Sequence, residues 1–209
     1  MACLIAPIAD AIEAFAAVLP HALKGGSSAT PVLECVQVKD GNLNACDRMT
    51  AALFELCGEN DGEPFLVPYA AASWIVGINT KTLRGRTPYS IGIDGVGDDA
   101  TPEEIREGEV TVQIIDGSGK VERSQSFDPI SGNFPPTVRL IDGFDPAADA
   151  WPVGMTPANL RKVLDFAAKW HKYAPVTFEL GKTESAHRLA PVRASVGRLT
   201  ALIQPVKLA

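Results

Sequence analysis

Phe65-Leu66-Val67-Pro68-Tyr69-Ala70-Ala71-Ala72-Ser73-Trp74-Ile75-Val76-Gly77-Ile78 reads as a short apolar strand that runs straight into a helix. Residues 65–67 supply the strand. Pro68 then opens a helix predicted to reach about Ile78, because a proline's fixed φ suits a first helical turn and its missing N–H is not needed there. Three strand candidates follow, at 89–93, 109–115 and 121–127. The last two flank Asp116-Gly117-Ser118-Gly119, a hairpin turn. The acidic stretch 95–108, which carries Gly and Pro, is expected to be an exposed loop.

The same order opens the chain. A strand-like run at 3–5 leads into a helix at about 8–19, where Ile8, Ile12, Phe15 and Leu19 recur at helical spacing. A Gly25-Gly26-Ser27-Ser28 loop follows, then strand candidates at 32–39, 43–46 and 50–56, with a turn at Asp40-Gly41. A third unit begins where Thr156 stands as the helix cap and Pro157 takes the first turn. Its helix runs to about Trp170, and strands are expected at 176–180, 188–194 and 198–207. The repeat lies in the pattern and not in residue identity. It predicts an α+β protein of helix-plus-strands units, with helices on one face of antiparallel sheets. The division is residues 1–127 as a two-unit domain, 128–152 as a connector with five prolines, and 153–209 as a C-terminal half-domain.

The 209 residues are 46% hydrophobic and 21% charged, which bounds the chain to one large or two small globular domains and excludes disorder. A formal net charge of −6 excludes a protein that coats nucleic acid with positive charge over its whole surface. Cys3, Cys35, Cys46 and Cys57 form no Cys-x-x-Cys pair and are expected to be small buried hydrophobes in a reducing compartment. The apolar first residues lack a basic flank and are interrupted by Asp10 and Glu13, so they predict an amphipathic helix and not a signal or a membrane span. The expected setting is cytoplasmic.

Enzyme constellations are not found. There is no Gly-x-x-x-x-Gly-Lys-Ser/Thr loop, no His-Glu-x-x-His and no Gly-x-Ser-x-Gly. His21, His171 and His187 are scattered, and Asp94, Asp98 and Asp99 lack the spacing of a calcium loop. No catalytic residue, metal or cofactor is expected. The third helix has an apolar stripe of Leu160, Val163, Leu164, Ala167 and Ala168, with Arg161, Lys162, Lys169 and Lys172 largely off it.

Five short segments, in order, are similar to the bacterial β-type DNA polymerase sliding clamps. Thr30-Pro31-Val32-Leu33 looks like the family's Pro-Ile-Leu strand. Leu43-Asn44-Ala45-Cys46-Asp47 resembles a strand that ends in Thr-Asp, with Cys46 in place of Thr. Phe65-Leu66-Val67-Pro68 resembles the Val-Pro start of the second half-domain, and Gly132-Asn133-Phe134-Pro135 the Gly-x-Phe-Pro that closes it. Leu202-Ile203-Gln204-Pro205-Val206-Lys207-Leu208 is similar to the final Met-Pro-Met-Arg-Leu strand. The resemblance covers most of the chain and identifies a shortened clamp. The composition, rich in Ala, Asp and Gly, suits a phage of a GC-rich host.

The resemblance implies a DNA-clamp fold and a processivity factor for DNA replication that does no bond chemistry. It would encircle duplex DNA and tether polymerase, an effective-concentration effect. Non-specific contacts to the DNA backbone would come from Lys24, Lys81, Arg84, Arg86, Arg161, Lys162, Lys169 and Lys172. Polymerase and clamp loader would dock short apolar peptide motifs in a pocket of Pro135, Leu140, Leu202, Gln204, Pro205 and Val206. Gln204 stands where the family has Met. Three units per chain and twelve helices per ring imply a homo-oligomer, a tetramer or another ring. The alternative is a clamp-fold protein that forms no ring and modulates host replication proteins.

Overall fold

In a computed structural model the described residues are 2–24, 29–56, 59–60, 63–83, 88–97, 100–130, 132–146, 154–182 and 190–206. The first unit contains β1 (Ala2–Pro7), α1 (Ile8–Val18), β2 (Cys35–Lys39), β3 (Asn42–Cys46) and β4 (Thr50–Glu55). A two-residue β5 (Glu59–Asn60) follows. The second unit contains β6 (Phe65–Pro68), α2 (Tyr69–Val76), β7 (Ser90–Gly95), α3 (Pro102–Glu107), β8 (Val110–Ile115) and β9 (Val121–Phe127). Then come α4 (Thr137–Asp142), α5 (Pro157–Trp170), β10 (Thr177–Leu180), β11 (Val192–Val196) and β12 (Leu199–Ile203).

The first two units exchange their leading strands. One sheet runs β5-β1-β7-β8-β9, and the other β10-β11-β12-β4-β3-β2-β6. Thus β1 of the first unit pairs antiparallel with β7 of the second, and β6 of the second with β2 of the first. Each unit therefore completes the other's sheet, so neither can bury its strands alone. The third unit extends the second sheet by an antiparallel pairing of β12 with β4, with Leu199 opposite Phe54 and Ile203 opposite Thr50.

The helices α1, α2 and α5 form one layer, with α1 touching both of the others. The core lies beneath them. Phe15 of α1, Phe54 of β4 and Ile75 of α2 are fully buried, and Phe166 of α5 meets Phe54 edge to face at 6.2 Å. A smaller apolar cluster of Leu33, Cys46, Ala51, Leu53, Ile141 and Leu202 lies apart from the main core. It forms where α4 crosses β3, β4 and β12, and β4 is buried at every position but its last.

Several expectations are corrected. The acidic stretch 95–108 holds the short helix α3, held by a capping box in which Thr101 and Glu104 bond each other's backbone N–H. The expected strand at 32–39 begins as a 3₁₀ turn, Pro31–Glu34, because the proline at its start favours a turn over a ladder position. The connector contains α4. Thr156 holds the cap position of α5, but its side chain makes no capping hydrogen bond. The Gly25–Ser28 loop, Cys57, Asp98, Asp99, His187, Lys207 and Leu208 lie outside the described residues.

Candidate partner groove and nucleic-acid face

A groove of about 380 Å³ opens over the smaller apolar cluster. Its floor is Leu33, Cys46, Ala51 and Leu202, each less than a tenth exposed. Pro135 and Leu140 form one wall, and Leu140 is 54% exposed. Arg48, Met49 and Gln204 form the rim. An apolar floor with exposed apolar and polar edges suits one or two apolar anchors of an extended peptide.

Four of the six residues expected to form a pocket therefore line one groove: Pro135, Leu140, Leu202 and Gln204. Pro205 and Val206 do not. β12 ends at Ile203, Pro205 turns inward and is buried, and Val206 donates its N–H to Gly154 O at 2.8 Å. Sequence reading missed Leu33, Cys46, Arg48, Met49 and Ala51. Two of them, Leu33 and Cys46, lie in segments that carry the clamp resemblance, but they face a groove only once β12 has paired with β4.

The rim is a three-residue turn, Asp47-Arg48-Met49, between β3 and β4. Arg48 sits in the left-handed region at φ 76°, which a non-glycine residue rarely adopts. Two sets of bonds hold it there. Arg48 Nη2 donates to Thr30 Oγ1 at 3.0 Å, and Asp47 Oδ1 accepts from the N–H groups of Met49 at 3.1 Å and Thr50 at 2.9 Å. Met49 O accepts the Gln204 N–H at 2.8 Å, which ties the turn to the strand opposite.

Lys162 completes this arrangement. From α5 its ammonium donates to Asp47 Oδ2 and, at 3.1 Å, to Thr50 Oγ1. The two charged side chains are only 17% and 15% exposed. Burial alone would raise the Asp47 carboxyl, but the hydrogen bond and charge of Lys162, with two bonds from Thr50, hold it below the usual carboxylate range. Lys162, expected to face DNA, is thus engaged in an internal ion pair. His21 lies nearby, fully buried. Burial first, then the Lys162 charge, lowers its pKa to about 3, so it is neutral. Neither of its ring nitrogens, nor the side-chain amide of buried Asn44, has a hydrogen-bond partner among the described residues.

The helix layer carries its positive charge unevenly. α2 has no charged residue, and α1 offers Asp10 and Glu13. Arg198 reaches both acids, at 3.5 and 3.1 Å, and His171 Nε2 lies 3.0 Å from Glu13. Arg161, Lys169 and Lys172 are exposed on or just after α5. Arg161 pairs loosely with Asp165 at 3.9 Å, and Lys169 lies 5.1 Å from the Trp170 ring. Lys24 and Lys81 are exposed and belong to other segments than α5, while Arg84 and Arg86 lie outside the described residues. Cys35 and Cys46 are free thiols, pushed by burial to about 12 and about 11. Among the described residues no helix is long and apolar enough to cross a membrane.

No protein-family model matches the chain, and no curated protein matches its sequence. Solved structures do match. A DNA polymerase sliding clamp from Pseudomonas aeruginosa, solved with a ligand, superposes with a TM-score of 0.61 at 14% identity, over 100% of this chain and 66% of that one. The DNA polymerase III beta subunit of Thermotoga maritima gives 0.57 at 12%, over 100% and 65%. A DnaN sliding clamp from Bartonella birtlesii bound to griselimycin gives 0.57 at 12%, over 100% and 66%. The chain has the sliding-clamp fold and spans about two thirds, 65 to 66%, of the length of these clamps.

Proposed function

We propose that this chain is a sliding-clamp-like DNA replication factor that docks short apolar peptides of polymerase and clamp loader in the groove of Leu33, Pro135, Leu140, Leu202 and Gln204. One observation carries the reading: Leu33, Cys46, Met49, Ala51, Pro135, Leu140, Leu202 and Gln204, from four stretches distant in sequence, converge on one shallow apolar groove. The proposal needs no bond chemistry, metal or cofactor, and it sets the protein in the cytoplasm. Duplex DNA would be held through non-specific backbone contacts of Arg161, Lys169 and Lys172, assisted by Lys24, Lys81, Arg84 and Arg86. Lys162 drops out of that set because Asp47 holds its ammonium. A homo-oligomeric ring of four chains would enclose the duplex.

A second reading has its own support. Positive charge on the helix layer is confined to α5, while α1 is acidic and α2 is uncharged. That suits a clamp-fold protein that binds replication proteins of a host through the groove without encircling DNA.

The test of the groove is fluorescence anisotropy with an apolar-anchored polymerase-tail peptide, for the unaltered chain and Leu140→Asp. The substitution places a charge on an already exposed side chain, so the fold should survive it. Binding that falls tenfold or more supports the groove; unchanged binding removes it. Light scattering then separates ring from monomer.

A further inference from the structure

We infer that the cleft between α1, α2 and α5 takes unpaired bases of single-stranded DNA, which stack on Trp170 in the cleft and on Tyr173 just past the end of α5. This rests on the DNA-binding part of the reading above and names the form of DNA that this face selects.

A cleft of about 470 Å³ opens in the helix layer. Ala16 of α1, Leu19 just after it, Tyr69 and Val76 of α2, and Phe166 and Trp170 of α5 line it. Ala16 is half-buried and contributes only a methyl group, which leaves the space open. Tyr69 and Trp170 are half-buried as well, so part of each side chain stays open to solvent. A lining of aromatic and aliphatic side chains suits a flat, largely apolar guest.

Positive charge stands beside this lining. Arg161 and Lys169 line the same cleft, a little over two turns apart on α5, and both are exposed. Asp165 also lines it and pairs loosely with Arg161 at 3.9 Å, while Lys162 lines it but gives its ammonium to Asp47. Lys169 Nζ lies 5.1 Å from the centre of the Trp170 ring, and Lys172 Nζ 5.5 Å from that of Tyr173. Tyr173 is 91% exposed, so its ring adds nothing to the core. Its backbone is nonetheless held. Ala174 donates its N–H to His171 O at 2.8 Å, and His171 Nε2 lies 3.0 Å from Glu13, which ties this end of α5 to α1. Lys169-Trp170-His171-Lys172-Tyr173 thus alternates two lysine ammoniums with two aromatic rings.

This chemistry fits bases that have left the duplex. Cations hold the phosphates of any form of DNA. In a duplex, the faces of the bases are covered by their neighbours and the grooves show only edges. An aromatic side chain therefore gains stacking only from an unpaired base, and it does so with any of the four, since each has a π-face. Contact with duplex alone would need the cations and leave the exposed Tyr173 ring without a role.

The test compares two labelled strands of equal length by fluorescence anisotropy on the full chain. One is oligothymidylate; the other carries abasic sites, so it keeps the phosphates and lacks the bases. The unaltered chain should bind oligothymidylate about tenfold or more tightly than the abasic strand. Tyr173→Ala, at a solvent-exposed side chain, should reduce that preference, and adding Ala16→Phe, which fills the cleft, should abolish it. Duplex binding should change little in either variant. Oligothymidylate should also quench tryptophan fluorescence, and Trp170→Phe, which keeps a stacking ring, should remove the quench while retaining most of the affinity. Equal affinity for the two strands, a preference that survives both substitutions, or a quench that persists in Trp170→Phe overturns the proposal. If duplex binding still depends on Arg161, Lys169 and Lys172 in that case, base stacking is discarded and the duplex contact of the reading above stands.

Discussion

Lys162→Met tests the link between the helix layer and the groove. The substitution keeps the length of the side chain and removes its charge. The pair it breaks is 17% and 15% exposed. Leaving one member of a fully buried pair uncompensated costs about 3–5 kcal/mol. Here Asp47 keeps three further donors, the N–H groups of Met49 and Thr50 and the Thr50 hydroxyl, at 3.1, 2.9 and 2.9 Å. Some solvent also reaches the carboxylate. The expected loss is therefore smaller, about 2 kcal/mol at pH 7. With a urea dependence of about 2 kcal/mol per molar, the unfolding midpoint should fall by about 1 M. The pH dependence has a definite sign. A carboxyl held below its unfolded value contributes stability that is present above about pH 4 and lost as the pH falls through the folded pKa. The gap between the two chains should be full at pH 7 and narrow near pH 3. Because Asp47 begins the turn that rims the groove, peptide affinity should fall as well, although Lys162 is not a lining residue. A midpoint within 0.2 M of the unaltered chain, on the order of the error of the method, would refute the reasoning. So would a gap as wide at pH 3 as at pH 7.

Three further outcomes are expected. Replacing Arg161, Lys169 and Lys172 by alanine should weaken duplex DNA association and flatten its salt dependence, by up to about 0.9 in log–log slope for each phosphate no longer neutralised. Titrations at several salt concentrations would show it, and an unchanged slope would take DNA off this face. His21 is neutral in the fold, with a pKa near 3 against 6.5 when free, so the unfolded chain binds the extra proton between those values. Stability should decline as the pH falls below 6.5, and His21→Leu should flatten that decline by about 1.4 kcal/mol per pH unit; urea titrations at pH 4 to 6 with identical slopes would contradict it. Leu140→Asp should leave the melting temperature within a few degrees while abolishing peptide binding, as calorimetry and anisotropy on one sample would report.

The sequence alone determined the elements whose signals are local. Prolines at helix starts, Asp40-Gly41 and Asp116-Gly117, and strands bounded by polar turns gave three helix-plus-strands units and their order. That order, with the five family-like segments, was enough for the clamp fold. The short helix α3 is missed by sequence reading, which makes it a loop, although Thr101 and Glu104 stand at capping-box spacing. What only the tertiary structure decided depends on pairing between distant strands. The exchange of β1 and β6, and the junction of β12 with β4, follow from which buried faces fit each other, and no single segment carries that information. That junction determines which sides of Leu33, Cys46 and Met49 face the groove. It also explains Lys162: helical spacing placed it off the apolar stripe, but its ammonium is drawn inward by Asp47, 115 residues away in the chain. A charge on a helix can be read from sequence, but whether solvent, DNA or a buried carboxylate receives it is settled by what the fold packs against that helix.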